Sequence, residues 1–127
     1  MSAKNLTINV ISPEKVLYTG EGSALKIPGV DGYFGVLLNH AALVSELGIG
    51  VLEIESGGKT NKMVVEGGFV QINSNVVNVL TKGGDTKESI NLDKVKFELT
   101  QLMNSKDKNR DIEIQKAKAR ISLFKTN

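Results

Sequence analysis

The glycines and prolines of this chain are confined to its first 84 residues. All 13 glycines and both prolines occur at or before Gly84, and residues 85–127 contain neither. Glycine and proline mark turns and weaken the interiors of helices. The chain therefore divides near Gly83-Gly84-Asp85 into a turn-rich region, residues 1–84, and a region suited to uninterrupted helices, residues 85–127.

The first region shows the two-residue period of β-strands. Leu6, Ile8 and Val10 alternate with polar residues, as expected of strands with one buried face. Gly57-Gly58 and Asn73-Ser74-Asn75 are suited to tight hairpin turns with positive φ. Roughly eight short strands in this length predict an antiparallel β-sandwich or flattened barrel. The other clear strand segments are 51–56, 60–65, 69–72 and 76–80.

The second region changes to the helical period. Apolar residues recur every three or four positions, which predicts helices over 91–103 and 111–125 joined by the polar segment 104–110. Asn91 or Ser89 can cap the first helix. Helices shorter than roughly 12–15 residues are marginal alone in water, so we expect an antiparallel helical hairpin that closes on itself or on the sandwich. The fold class is mainly β with an α appendage.

Composition excludes several classes of function. The chain has no cysteine and one histidine, His40, which excludes disulfides, thiolate or multi-histidine metal centres and a cysteine nucleophile. An enzyme using His40 as general base is a minor alternative. A net charge of +2 and 5% aromatic residues indicate no nucleic-acid partner.

Two further patterns argue against a membrane span and against a nucleotide loop. No apolar segment is long enough for a span or a signal peptide, so a cytosolic protein without direct membrane insertion is expected. GGKT at 57–60 resembles the end of a phosphate-binding loop, but Glu53 stands where that loop needs its first glycine. We interpret this segment as a hairpin turn.

Three segments in register resemble a known family. Residues 28–47 carry glycines at three-residue spacing (Gly29, Gly32, Gly35) followed by an apolar run and Asn39-His40. VEGGFVQINSNVVNVL at 65–80 and ISPEKVLYTGE at 11–21 match in the same order. Together with the helical hairpin, these segments resemble the epsilon subunit of F-type ATP synthases, called delta in mitochondria.

The resemblance implies a non-catalytic rotor subunit of the central stalk, peripheral on the cytoplasmic face of the bacterial inner membrane. The sandwich would bind the gamma subunit and rest on the polar loops of the c-ring. By this resemblance the gamma side would include His40 and Ser45. The loop facing the c-ring would include Gly29, Asp31, Gly32 and Tyr33. The chain departs from many members at Leu38 and Ala42, where proline is common, and at Tyr33, where an acidic residue is common.

The hairpin would act as a switch by the same resemblance: folded on the sandwich it permits rotation, and extended along gamma it hinders ATP hydrolysis. Residues 103–127 carry 7 basic and 3 acidic side chains, so the extended second helix could contact acidic segments of the catalytic alpha and beta subunits. The basic residues concerned are Lys116, Lys118, Arg120 and Lys125.

Some members bind ATP on the folded hairpin, and the matching positions here are Leu92, Asp93 and Lys96. Lys96 replaces an arginine of that motif and Phe97 replaces a small alanine, which compromises phosphate and adenine contacts. We expect no cofactor and assign Asp93 to the first helical turn.

A second function remains open on the residues alone. A free-standing β-sandwich module that binds a small molecule or a peptide, with the helical hairpin serving only to dimerise it, would show the same strand and helix patterns. Stable association with a gamma subunit separates the two hypotheses.

Overall fold

The computed structural model describes residues 5–125. Strands precede two helices, which confirms the predicted fold class. The strands are β1 Leu6–Ile11, β2 Val16–Gly22, β3 Ala24–Gly29, β4 Gly32–Leu37, β5 Leu43–Ser56, β6 Lys59–Asn73, β7 Val76–Thr81 and β8 Gly84–Thr86. A short 3-10 helix, Lys87–Ser89, leads into α1 Leu92–Met103 and α2 Arg110–Ser122.

The strands form one hydrogen-bonded sheet that folds into two layers. Its order is β2-β1-β7-β6-β5-β3-β4, with β8 also on β6. The first layer consists of β2, β1 and β7 with the second half of β6 and the first half of β5. The second layer consists of β4, β3 and β8 with the remaining halves of β5 and β6.

Two details differ from the sequence prediction. The segments 60–65 and 69–72, predicted as separate strands, are parts of the single 15-residue strand β6. The strands β1 and β7 pair in parallel, whereas the other pairs are antiparallel as predicted.

Glycine lets β6 pass from one layer to the other. Gly67 and Gly68 have φ of 82° and 119°, a region that favours glycine. A Cβ on Gly68 would collide with the carbonyl oxygen of Leu80 on β7. The glycine pair that looked like a gap between two strands is therefore a bend within one.

One apolar core joins the layers. Leu6 and Ile8 of the first layer lie in the same buried cluster as Ile27, Leu52 and Ile54 of the second. Residues that are distant in the strand order can share a core only if the sheet folds over on itself. The structure is thus the predicted sandwich rather than a single open layer.

The predicted hairpin turns are confirmed. Gly57 and Gly58 have φ of 58° and 78°, and Ser74 and Asn75 have φ of 51° and 65°. Two consecutive positive φ values match the twist of two-residue β-hairpins.

The helices begin as predicted, within one residue. The Asn91 side chain accepts a hydrogen bond from the Lys94 amide at 3.1 Å, which confirms Asn91 as the cap of α1. The helix α2 ends at Ser122 rather than at 125. Arg110 Nη1 donates to the carbonyls of Met103 and Ser105 at 3.1 and 2.9 Å, which ties the start of α2 to the end of α1.

The helical hairpin packs on the outer surface of the second layer, mainly through α2 against β5 and β6. Val64, Val95, Ala117 and Leu123 are buried but lie outside the sandwich core. The three- and four-residue spacing of Ile114, Ala117, Ile121 and Phe124 predicts the apolar stripe of α2. Burial of Ala117 fits this stripe, but Leu123 is buried although it lies off the stripe. A small second core therefore holds the hairpin in its docked position.

Candidate functional site

Six exposed apolar side chains lie on the outward side of the first layer, beside a polar row that includes Asn9, Asn78 and Gln71. We call these six side chains the outer apolar face, which consists of Ile11, Val16, Val44, Phe69, Val76 and Leu80. Phe69, Leu80 and Val44 are 56%, 54% and 67% exposed. The solvent side of an antiparallel sheet is normally polar, and a cluster of exposed apolar side chains marks an interaction site.

Strand register makes this surface continuous. Val16 pairs with Ile11, Ile11 with Leu80, and Leu80 with Phe69, so one row crosses four neighbouring strands. Directly opposed residues on paired strands have side chains about 4.5–5.5 Å apart. The row therefore presents one connected apolar strip rather than scattered residues.

The β4–β5 loop lies at one end of the first layer. The Asn39 amide donates to Asn75 Oδ1 at 2.6 Å, which fastens the loop to the β6–β7 turn. His40 is half-buried, and its Nδ1 lies 2.8 Å from the Ala41 carbonyl oxygen. His40 is thus held by contacts within its own loop.

The structure separates Ser45 from the outward surface. Ser45 pairs with Val70, a core residue, so both point toward the inside of the sandwich. The neighbouring Val44 points outward instead. Strand alternation therefore makes Val44, rather than Ser45, the exposed position of this segment.

The predicted c-ring loop is the tip of the β3–β4 hairpin. Gly29 pairs with Gly32 across a two-residue turn, and Val30 and Asp31 project from it into solvent. Gly32 has φ of 123°, and a Cβ on Gly29 would lie 2.9 Å from the Gly32 carbonyl oxygen. Both glycines are needed to close a turn this tight.

Tyr33 lies across the sheet rather than at the tip. Its hydroxyl accepts a hydrogen bond from the Val51 amide at 3.1 Å, and the Lys26 ammonium lies 5.2 Å from its ring centroid. A Cβ on Gly50 would lie 2.6 Å from the same hydroxyl. Tyr33 therefore braces β4 against β5, so it contributes less to the loop surface than Asp31 does.

The four basic residues of the second helical segment fall into two groups. Lys118 and Lys125 are exposed, and Lys116 forms a 3.4 Å ion pair with Glu113 of its own helix. Arg120 differs, because only 16% of its side chain is exposed. It faces the sandwich and not solvent.

Arg120 joins α2 to two strands at once. Its Nη1 lies 2.7 Å from Glu66 Oε2 on β6, and its Nε lies 2.7 Å from Asp85 Oδ2 on β8. Lys15 reaches the other oxygen of Asp85 at 3.0 Å. We call Lys15, Glu66, Asp85 and Arg120 the ion-pair cluster.

The charges of this cluster stabilise one another. Burial would raise the pKa of Asp85, but the hydrogen bonds and charges of Lys15 and Arg120 outweigh burial and hold that pKa below its ordinary value. Burial would likewise lower the pKa of Arg120, but Asp85 and Glu66 raise it. Asp85 and Arg120 are thus both charged at neutral pH.

The positions matched to an ATP motif do not converge on a cleft. Asp93 and Lys96 are exposed, and neither lines the two clefts that border α1 near Arg120. Those clefts are lined by Val95, Glu98 and Arg120, with Lys116 at one cleft and Lys94 at the other. Leu92, Asp93 and Lys96 are thus not brought together at either cleft.

Residues 5–125 contain no group of three or more His, Asp or Glu side chains placed to hold a metal ion. None of the helices within this range is long and apolar enough to cross a membrane.

Sequence reasoning did not find the outer apolar face or the partners of Arg120. Phe69 and Leu80 were read only as strand residues, and Glu66 and Asp85 are distant from Arg120 in sequence. One signal was present: Met63-Val64-Val65 breaks the alternation of β6, and Val64, on the face opposite Met63 and Val65, is fully buried outside the sandwich core. Three consecutive apolar residues in a strand indicate that both of its faces are covered.

Comparison with known proteins gives a consistent result. Residues 5–84 match the family described as ATP synthase, Delta/Epsilon chain, beta-sandwich domain. An ATP synthase epsilon chain of Leptospira interrogans is 49% identical over 124 residues, covering 95% of this chain and 96% of the relative.

Two solved structures share the fold. A chain in the mitochondrial ATP synthase of Euglena gracilis aligns with a TM-score of 0.84 at 24% identity, covering 97% of this chain and 83% of that one. A chain in the central stalk and c-ring of the Tetrahymena thermophila enzyme aligns with a TM-score of 0.62 at 14% identity, covering 98% and 96%. The family match and the Leptospira relative confirm the resemblance read from the sequence: this chain belongs to the delta/epsilon family of ATP synthase chains.

Proposed function

We propose that the chain is a non-catalytic subunit of the central stalk of a proton-translocating F-type ATP synthase, and that it binds the gamma subunit through the outer apolar face. The observation that carries this proposal is the continuous row of exposed apolar side chains across four strands. The family assignment and the two structural matches, which come from an assembly of F1 with the c-ring and from one of the central stalk with the c-ring, support it.

The outer apolar face has the properties that a permanent partner requires. Fully burying one large apolar side chain stabilises by about 1.5–3 kcal/mol relative to full exposure. Six side chains that are each about half-exposed therefore offer several kcal/mol to a partner. The sheet beneath them is rigid, because each of these strands is hydrogen-bonded to its neighbours and its inner face lies in one core. A rigid apolar platform suits torque transmission better than a mobile loop does.

Substitution of Phe69 tests the gamma contact. Phe69→Glu places a charge at the centre of the proposed interface, and we expect gamma binding, measured by titration or gel filtration, to weaken at least about 100-fold. The matched control is Phe97→Glu on α1, which replaces a phenylalanine of similar exposure, 64%, away from this surface. It should leave the affinity unchanged.

Two results would contradict the gamma proposal. One is full-strength binding by Phe69→Glu, and the other is equal loss by both variants. Circular dichroism of each variant separates loss of binding from loss of the fold.

The tip of the β3–β4 hairpin is the second proposed contact, with the polar loops of the c-ring. Val30 and Asp31 extend from a turn whose geometry is fixed by Gly29 and Gly32. Such a tip is rigid and small enough to sit between loops. This contact would keep the subunit peripheral at the cytoplasmic face of the membrane.

The helical hairpin is the proposed brake on ATP hydrolysis. The docked arrangement is the permissive state, and the extended arrangement would present Lys116, Lys118 and Lys125 to the acidic segments of the catalytic subunits. The docked form closes without a nucleotide, since neither Asp93 nor Lys96 lines the clefts beside Arg120. Calorimetric titration with ATP should therefore show no binding.

A further inference from the structure

The docked hairpin depends on few apolar contacts. Of the residues of α1 and α2, only Val95 and Ala117 are buried, with Leu123 just beyond α2. Alanine contributes little area, so this second core is small compared with that of the sandwich. Ion pairs from α2 to two strands add to these apolar contacts.

The ion-pair cluster has the geometry to hold the hairpin in place. Arg120 makes two 2.7 Å contacts to carboxylates on two different strands, and its side chain and that of Glu66 are 16% and 14% exposed. A guanidinium presents its donors in a fixed planar fork, so one arginine can hold two carboxylates with good geometry. Because these groups are largely screened from water, loss of one partner leaves a poorly solvated charge behind.

The strands leave room for this contact. A Cβ on Gly83 would lie 2.5 Å from Glu66 Oε1, so a side chain there would push the carboxylate out of place. Neither Gly83 nor Gly84 has positive φ. The Gly83-Gly84 pair, which the sequence predicts as the boundary between the two regions, is also needed for close approach to β6 and Glu66.

We propose that Arg120 is the latch of the helical hairpin: by holding Glu66 of β6 and Asp85 of β8 together, it keeps α2 docked, and breaking these contacts releases both helices. The contacts also make Arg120 unavailable to an acidic partner until the hairpin undocks. Release of the helices from the sandwich is a property of the isolated chain. Only the effect of that release on ATP hydrolysis rests on the proposed function.

Amide hydrogen exchange of the full chain tests the latch. Arg120→Gln and Glu66→Gln should each speed exchange across α2 by at least about tenfold, the loss expected for charged hydrogen bonds, while the sandwich strands exchange as before. The double variant should be no faster than Arg120→Gln alone, because that variant already breaks the contacts to both carboxylates. Arg120→Lys keeps the positive charge but loses the planar guanidinium. Its α2 exchange rate should therefore lie between those of the unmodified chain and Arg120→Gln.

The matched control is Lys118→Gln, two positions away on α2. It removes the same charge from an exposed side chain that forms no ion pair within the described residues, so α2 exchange should stay within about twofold. Equal exchange in Arg120→Gln and Lys118→Gln would overturn the latch. So would uniform acceleration across the sandwich strands, which would make Arg120 a general stabiliser of the fold.

The hydrolysis assay keeps the two proposals separate. In the assembled enzyme, release of the hairpin by Glu66→Gln, which leaves every basic side chain of α2 in place, should lower ATP hydrolysis if the extended hairpin is a brake. Fast α2 exchange with unchanged hydrolysis would refute the brake and leave the latch standing.

Discussion

Single residues decide where this sheet bends and where the hairpin docks. The bend at Gly68 is visible only in the strand pairing, since the sequence GGF is equally compatible with a turn between two separate strands. The sequence does not distinguish Arg120 from the other basic residues of α2, because its partners lie 35 and 54 positions away in sequence. Local patterns report turns and caps, such as Asn91, but not long-range charge contacts.

The bend at Gly68 gives a sharp stability prediction. Gly68→Ala forces a side chain into positive φ and against the Leu80 carbonyl, and we expect it to lower the free energy of unfolding by about 3 kcal/mol. Urea denaturation measures the change. Gly35→Ala is the control, because its Cβ would meet no atom closer than 3.8 Å, and it should change stability by less than about 0.5 kcal/mol. Equal effects would show that the bend does not require glycine.

Asp85 gives a pH prediction. Its pKa is lowered in the docked state, so its contribution to docking is complete above the ordinary carboxyl pKa of about 4 and disappears as the pH falls through the lowered value. Docking should be constant between about pH 6 and 8. The chain has no tryptophan, so Phe124→Trp provides a single fluorescent reporter beside Lys87. Its fluorescence should change as the pH falls and the hairpin undocks. Asp85→Asn should abolish this fluorescence change, and a change that persists in Asp85→Asn would assign the undocking to another titrating group.

At the level of elements, the helices were predictable and their docking surface was not. Three- and four-residue spacing and the Asn91 cap located α1 to within one residue. The α2 prediction ran three residues long because Phe124 fits the same stripe, although Leu123 is the residue buried against the sandwich. The two-residue period also predicts two separate strands where the structure has the single strand β6. A bend within one strand and a turn between two strands interrupt that period in the same way.

Removing the hairpin tests its role as an element. Deletion of residues 91–127 takes away contacts that lie outside the sandwich core, so we expect folding and assembly of the enzyme to survive. ATP hydrolysis should rise by about fivefold or more, the lower end of ordinary coupling between two states. Failure to assemble would instead show that the helices are structural.

For the molecule as a whole, the sequence sufficed for the order of strands before helices, for the hairpin turns and for the family. It could not locate the outer apolar face, because Val44, Phe69 and Leu80 meet only once strands distant in sequence pair. The account's central claim is that this face, on the first layer, is covered by gamma while the outward side of the second layer is not.

Thiol labelling addresses that claim most directly, since the chain has no cysteine of its own. Leu80→Cys on the outer apolar face and Leu37→Cys on β4 replace side chains that are 54% and 65% exposed. On adding gamma, alkylation of the cysteine at 80 should slow by at least about tenfold, as expected inside an interface that excludes water, while the cysteine at 37 should react unchanged. Protection of position 37 instead, or undiminished reaction at position 80 in a complex that has formed, would contradict the account.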